Sequence, residues 1–350
     1  MAALGHGTHE DLNRAAPEHS AAYLRMGLLT GLYAIAAAAW IGYELEDRGA
    51  GADDFLTALY DARAPLTPWA QTPQDWALIV AALVFGGIAL ARRRVARGAL
   101  MLLAVVLIGL SLRELVGLTV SEDYRTVLER SEYGQLLITF RVIGLIVGVA
   151  ILIELARAGR RTTAMPYVPY DATPSPYAPY GPYTPPHPSY GPPPAFRPAG
   201  VRPQLAAAGV CLLLSGAVAV AWLVYRLTRP QVYLVGGSPD AGVGGFFRDV
   251  VDASYSTSIP YSFHTAAFAL APLLVALLLF RGRQAGRGAG LALAFVLLYL
   301  DARTLYAYAA DGEIDQYFDS TLGTLAVLST AFTTVLSLVT ATVLLAAREE

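Results

Sequence analysis

The sequence predicts an all-α polytopic membrane protein: eight transmembrane helices, arranged as two four-helix repeats of the same orientation and joined by a disordered Pro/Tyr-rich cytoplasmic linker. Three observations predict it. Hydrophobic residues make up 55% of the 350-residue chain and charged residues only 15%, where a soluble protein needs about 25% charged residues to cover its surface. Eight apolar runs approach the length needed to cross a hydrocarbon core about 30 Å thick. The second half of the chain also repeats features of the first.

The chain opens with a polar tail of mixed charge (residues 1–20), which lacks the apolar centre of a cleavable signal peptide. The first repeat follows over residues 21–160, with spans at Leu24–Tyr43, Trp76–Ala91, Ala99–Val120 and Leu136–Leu155. The second occupies residues 204–350, with spans at Gln204–Tyr225, Tyr261–Phe280, Leu291–Ala309 and Leu322–Ala347. A helix satisfies its own backbone hydrogen bonds, and this makes it the form such runs take in lipid.

Orientation follows from arginine, because all 25 basic residues are arginine. Arg92–Arg94, Arg97, Arg157, Arg160, Arg161, Arg281, Arg283 and Arg287 crowd one set of loops, whereas the opposite loops carry Arg48, Arg63, Arg125, Arg130, Arg229 and Arg248. Basic loops resist translocation, so the arginine-rich side is cytoplasmic and both termini lie inside a bacterial plasma membrane. The outer loops are acidic, with clusters at Asp53-Asp54, Glu122-Asp123 and Asp311–Asp319.

Duplication rests on an ungapped match of Arg97–Leu115 to Arg287–Leu305, identical at ten of nineteen positions and pairing Arg113 with Arg303. Trp40-x-x-Tyr43 likewise matches Trp222-x-x-Tyr225, and Gly134 matches Gly323. The outer segments Phe55–Ala62 and Phe246–Ala253 align as short amphipathic surface helices. An even number of spans per unit makes both units enter from the same side, with a pseudo-two-fold axis along the membrane normal.

Residues 161–203 form the linker. Fourteen of the chain's 22 prolines fall between Met165 and Pro203, and a run so poor in backbone donors favours extended polyproline II over a packed core. It reads as a semi-rigid tether. Its Pro-x-x-Pro spacings (Pro166 to Pro169, Pro176 to Pro179) and interleaved tyrosines also make it a docking strip for a cytoplasmic protein partner.

Charges within the spans mark the candidate sites, since a charge deep in a bilayer costs about 2.5 kcal/mol or more unless it pairs or snorkels. Arg113 and Glu114 on the third span, Arg141 on the fourth, and Asp301 and Arg303 on the seventh are expected to form an intramembrane polar network near the outer surface. Two residues apart on one helix, Asp301 and Arg303 point about 200° from each other and need partners elsewhere. Glu44 with Arg226, and Asp47 with Arg229, occupy equivalent positions with opposite charge and are candidate inter-repeat ion pairs. Gly27-x-x-x-Gly31, Gly144-x-x-x-Gly148 and a stripe of small and hydroxyl residues from Gly323 to Thr340 read as packing seams. Pro272 interrupts the sixth span.

Much chemistry is excluded. Without lysine there is no P-loop lysine, Schiff base or Ser–Lys pair. One cysteine excludes a disulfide within the chain and any Cys-rich metal cluster. His9-Glu10 lacks the second histidine of a zincin, and the five histidines are too scattered for bis-histidine haem ligation. No cofactor is implied, a net charge of -2 gives no footprint for nucleic acid, and no convergent nucleophile marks an enzyme. Two functions fit: movement of a small solute or ion along the interface of the repeats, with Glu114 and Asp301 as carriers, or a non-catalytic scaffold or accessory subunit that recruits partners through the linker and acidic outer loops. Oligomeric state leaves no trace in the sequence.

Overall fold

The computed structural model describes residues 15–47, 52–61, 73–130, 134–161, 202–228, 261–310 and 314–347. The linker, the Glu44–Arg226 and Asp47–Arg229 side-chain pairs, and the segment Phe246–Ala253 lie outside the described residues. After a 3-10 turn at Pro17–His19 come α1 (Ser20–Asp47), α2 (Ala52–Tyr60), α3 (Pro73–Leu90), α4 (Ala96–Val120), α5 (Glu122–Arg130), α6 (Gly134–Arg161), α7 (Pro203–Thr228), α8 (Tyr261–Phe280), α9 (Gln284–Ala309), α10 (Ile314–Phe318) and α11 (Thr321–Ala346).

Among the described residues, six stretches are long and apolar enough to cross a membrane: Ser20–Tyr43, Ala96–Val120, Ile138–Ala158, Pro203–Tyr225, Ala285–Ala309 and Thr321–Ala346. Trp76–Leu90 in α3 and Ala266–Phe280 in α8 are shorter apolar helical stretches. The outward faces confirm the medium. Leu32, Ile35, Ile146 and Leu274 are each about 60% exposed, an arrangement that hydrocarbon tolerates and water does not.

All three acidic clusters carry short helices, α2, α5 and α10. After Val120 the chain bends at Ser121, whose N–H bonds back to Gly117 O (2.9 Å) and whose Oγ accepts from Tyr124 N (3.2 Å). One serine therefore ends α4 and caps the start of α5, the favoured role of this residue type. α10 forms within Asp311–Asp319 in the same way that α5 forms after Glu122, as a short surface helix.

Within each half the helices follow the same order of neighbours. α1 packs mainly on α3 and α4 on α6, while α6 closes on α1; α7 packs mainly on α8 and α9 on α11, while α11 closes on α7. Between the halves the principal contact is α4 against α9, with α3 also touching α9. Glycines set the closest approaches. A methyl group on Gly98 would overlap the Ala285 carbonyl, and one on Gly288 would overlap the Val95 carbonyl. In the alignment of α4 on α9, Gly98 falls on Gly288 and Val95 on Ala285, so the contact is reciprocal. Gly27 and Gly86 form a similar mutual approach between α1 and α3, and Gly148 lies close to Ala104 O between α6 and α4. Pro272 sits inside α8, fully buried.

The core is continuous across the halves. Leu100, Leu103, Ala289, Ala292 and Val296 belong to one buried cluster that also contains Met26, Ile151, Leu212 and Leu344.

Candidate functional site

The buried charges divide by what they touch. On α4, Arg113 and Glu114 are both almost fully buried, and Arg113 donates from one terminal guanidinium nitrogen to Glu114 Oε1 at 2.8 Å. Glu114 Oε2 accepts the hydroxyl of Tyr124, a buried residue of α5 packed against Leu118 and Ile138. Arg141 of α6 is also buried, close enough for its charge to act on Tyr124. Burial, then the charge of Glu114 and the bond to it, push the Tyr124 phenol above its ordinary range, against the opposing pull of Arg113 and Arg141. The phenol therefore stays protonated and keeps donating. A surface helix is thus fastened to the bundle through a buried carboxylate.

Arg303 does parallel work on the other half. It donates to Asp61 O at 2.8 Å, while Tyr299 one turn below donates to Leu59 O at 2.7 Å. Those carbonyls lie at the C-terminal end of α2, where a helix leaves acceptors unsatisfied and favours a cation. Tyr306 meets Tyr60 edge-on, with centroids 5.1 Å apart. The second half therefore holds the surface helix of the first.

Asp301 turns to a different neighbour. Its carboxylate lies beside Thr333 of α11, whose hydroxyl donates to the Ser329 and Thr330 carbonyls at 3.1 Å, and among the described residues Asp301 Oδ2 is buried without a hydrogen-bond partner. Ser337, one turn below Thr333, is fully buried with its Oγ in the same condition. Most other hydroxyls of this helix bond back to the preceding turn, as Thr330 does to Ala326 O (2.8 Å) and Thr340 to Leu336 O (2.7 Å).

Sequence reasoning missed three participants. Tyr124 and Tyr299 gave no signal, because tyrosine in an outer loop or a span end is common at membrane interfaces. Near the C-terminal end of α6, Glu154 accepts from Arg25 (2.8 Å) and Arg157 (3.0 Å). A glutamate one turn inside a span was a readable signal, and the i,i+3 spacing to Arg157 names that partner.

A cavity of about 490 Å3, counting its open mouth, lies within the first half among α1, α3, α4 and α6. Its walls are apolar apart from Arg141, and Tyr33 stacks on Phe140 at its side (4.9 Å between centroids). Among the described residues no three His, Cys, Asp or Glu side chains gather as a metal site.

No protein-family model matches the chain, and no curated protein or solved structure matches it. The class is defined by its helices: several capable of spanning a membrane, with lipid-exposed apolar faces, in a multi-pass helical membrane protein.

Proposed function

We propose that the chain crosses a bacterial plasma membrane eight times as two like-oriented four-helix repeats, with both termini and the Pro/Tyr-rich linker in the cytoplasm. It serves as a non-catalytic scaffold or accessory subunit. The repeats are supported by the shared order of helix neighbours and the reciprocal Gly98/Gly288 contact. The scaffold role is carried by one observation: charged side chains act as struts, buried Glu114 holding α5 through Tyr124 and half-buried Arg303 holding α2 through the Asp61 carbonyl. Struts make a fixed outer platform, and Gly98 and Gly288 let α4 and α9 meet in backbone contact where a path along the repeat interface would need space.

The solute- or ion-moving reading retains one favourable observation. The Asp301 Oδ2, buried without a hydrogen-bond partner beside the hydroxyls of α11, is the arrangement that a proton or small cation would complete.

Complementation of a deletion strain separates the two. Replacing Met165–Pro203 with a Gly/Ser linker of equal reach should abolish function under the scaffold reading, while Asp301→Asn, which keeps the shape of the side chain, should preserve it. The opposite pair of results, with both proteins present at normal level in the membrane, would transfer the assignment to transport.

A further inference from the structure

The cavity of the first half has features of a lipid site. Three of its walls, α1, α4 and α6, are long apolar helices and the fourth, α3, is a shorter apolar one; with all four crossing the bilayer as proposed above, the mouth opens at the depth of hydrocarbon and a molecule enters from the lipid. The lining from Leu103 to Leu110 covers about 10 Å of α4 at 1.5 Å per residue, enough for part of a hydrocarbon tail. One end is different. Arg141, seven residues inside the outer end of α6, is the single charged residue of the lining and stands beneath α5. Its guanidinium stays charged at any physiological pH and matches phosphate or carboxylate geometry.

The second half differs at the equivalent positions. Shifting α1 onto α7 by the Trp40/Trp222 match, and α6 onto α11 by Gly134/Gly323, replaces Tyr33 with Ser215, Phe140 with Ser329 and Arg141 with Thr330. There the indole of Trp222 reaches across to Ser329 Oγ (3.0 Å). The cation and the aromatic pair are thus peculiar to the first half, and duplication alone does not account for them.

We propose that this cavity binds one membrane lipid with an anionic headgroup, its hydrocarbon tail between α1, α3 and α4 and its headgroup at Arg141 in the outer leaflet. The site does not depend on the scaffold reading. It rests on the proposed topology of the first half, in which α1, α3, α4 and α6 cross the bilayer.

The full chain, purified from nanodiscs, would be examined by native mass spectrometry with stepwise activation, comparing discs of phosphatidylglycerol with discs of phosphatidylcholine. One phosphatidylglycerol per chain should survive activation that strips the surrounding lipid, and phosphatidylcholine should not. Equal retention of the two lipids would overturn the proposal. Arg141→Gln should reduce the preference at least tenfold. Because Arg141 is buried and its loss can also disturb folding, Ala82→Leu provides the second variant: it adds bulk to the cavity wall, and it should expel the lipid while the protein stays monodisperse. Unchanged retention in Ala82→Leu would place the lipid elsewhere and end the assignment. Glycerol 3-phosphate at millimolar concentration should fail to displace the lipid; displacement by the headgroup alone would mean that the site reads a soluble anion.

Discussion

Arg92 and Gly282 adopt the same left-handed backbone conformation, φ 58° and 64°, each just after an apolar helix. Each closes that helix with the same pair of bonds. Arg92 N bonds Ala89 O and Arg93 N bonds Ile88 O; Gly282 N bonds Leu279 O and Arg283 N bonds Leu278 O. Every residue in one set lies 190 positions from its counterpart, the offset that aligns α4 with α9. This pair of bonds is the Schellman ending common to many helices; what the two turns share beyond it is their place, 190 residues apart in the chain.

The two turns differ in strain. A left-handed conformation costs a residue with a Cβ about 1–2 kcal/mol, and glycine escapes that cost while losing about 0.5–1 kcal/mol of extra freedom on folding. Arg92→Gly should therefore stabilise the protein by about 0.5 kcal/mol, and Gly282→Ala should destabilise it by about 1 kcal/mol. Thermal unfolding midpoints in one detergent check both signs. A lower midpoint for Arg92→Gly would mean that the arginine side chain contributes more than its backbone loses.

Gly98 and Gly288 offer a test of the contact between the halves. Each added methyl collides with a backbone carbonyl, which cannot swing away as a flexible side chain can. Gly98→Ala and Gly288→Ala should each cost about 1–3 kcal/mol, the usual range for overpacking. Since both methyls push apart the same two helices, the double variant should cost less than the sum. Additive losses in denaturant unfolding would show that the two glycines act independently.

How far the sequence revealed all this depends on the kind of signal. The long apolar stretches were legible, because hydropathy survives in one dimension. The choice of partner for each charge was not. Arg113 and Arg303 align with each other, yet one bonds a neighbouring glutamate and the other a carbonyl at the end of a surface helix. Backbone acceptors leave no mark in the sequence, so the target of Arg303 was invisible there. Arg92 was hidden for a related reason: glycine announces a left-handed turn, and arginine in that role does not.

The Glu114 cluster makes a sharper prediction. Tyr124→Phe leaves a buried carboxylate one donor short, a loss of about 1–3 kcal/mol. Glu114→Gln removes the negative charge beside the buried Arg113 and should cost more, about 3–5 kcal/mol. Replacing the pair together, Arg113→Met with Glu114→Met, should recover part of that loss, because two apolar side chains of similar volume require no partners, while the Tyr124 hydroxyl loses its acceptor. Stability in detergent together with complementation gives the answer. A double variant that folds and functions would make the pair a strut, whereas one that folds and fails would give the ions a task beyond holding α5.

The anchoring of α2 can be read directly by hydrogen exchange. Arg303 supplies a charge-assisted bond of about 1.5–3 kcal/mol and Tyr299 a neutral one of about 1 kcal/mol. If these bonds are what hold the C-terminal end of α2 to α9, then Arg303→Gln with Tyr299→Phe should raise amide exchange over residues 52–61 by roughly a hundredfold, at 1.4 kcal/mol per factor of ten, while α9 itself stays protected. Tyr299→Phe alone should give about a fivefold rise. Arg303→Lys should fall between wild type and Arg303→Gln, since an ammonium keeps the charge facing the helix end but loses the reach of the planar fork. Unchanged exchange in the double variant would mean that the Tyr60–Tyr306 contact holds the helix by itself, and Tyr306→Ala would then be the substitution that frees it.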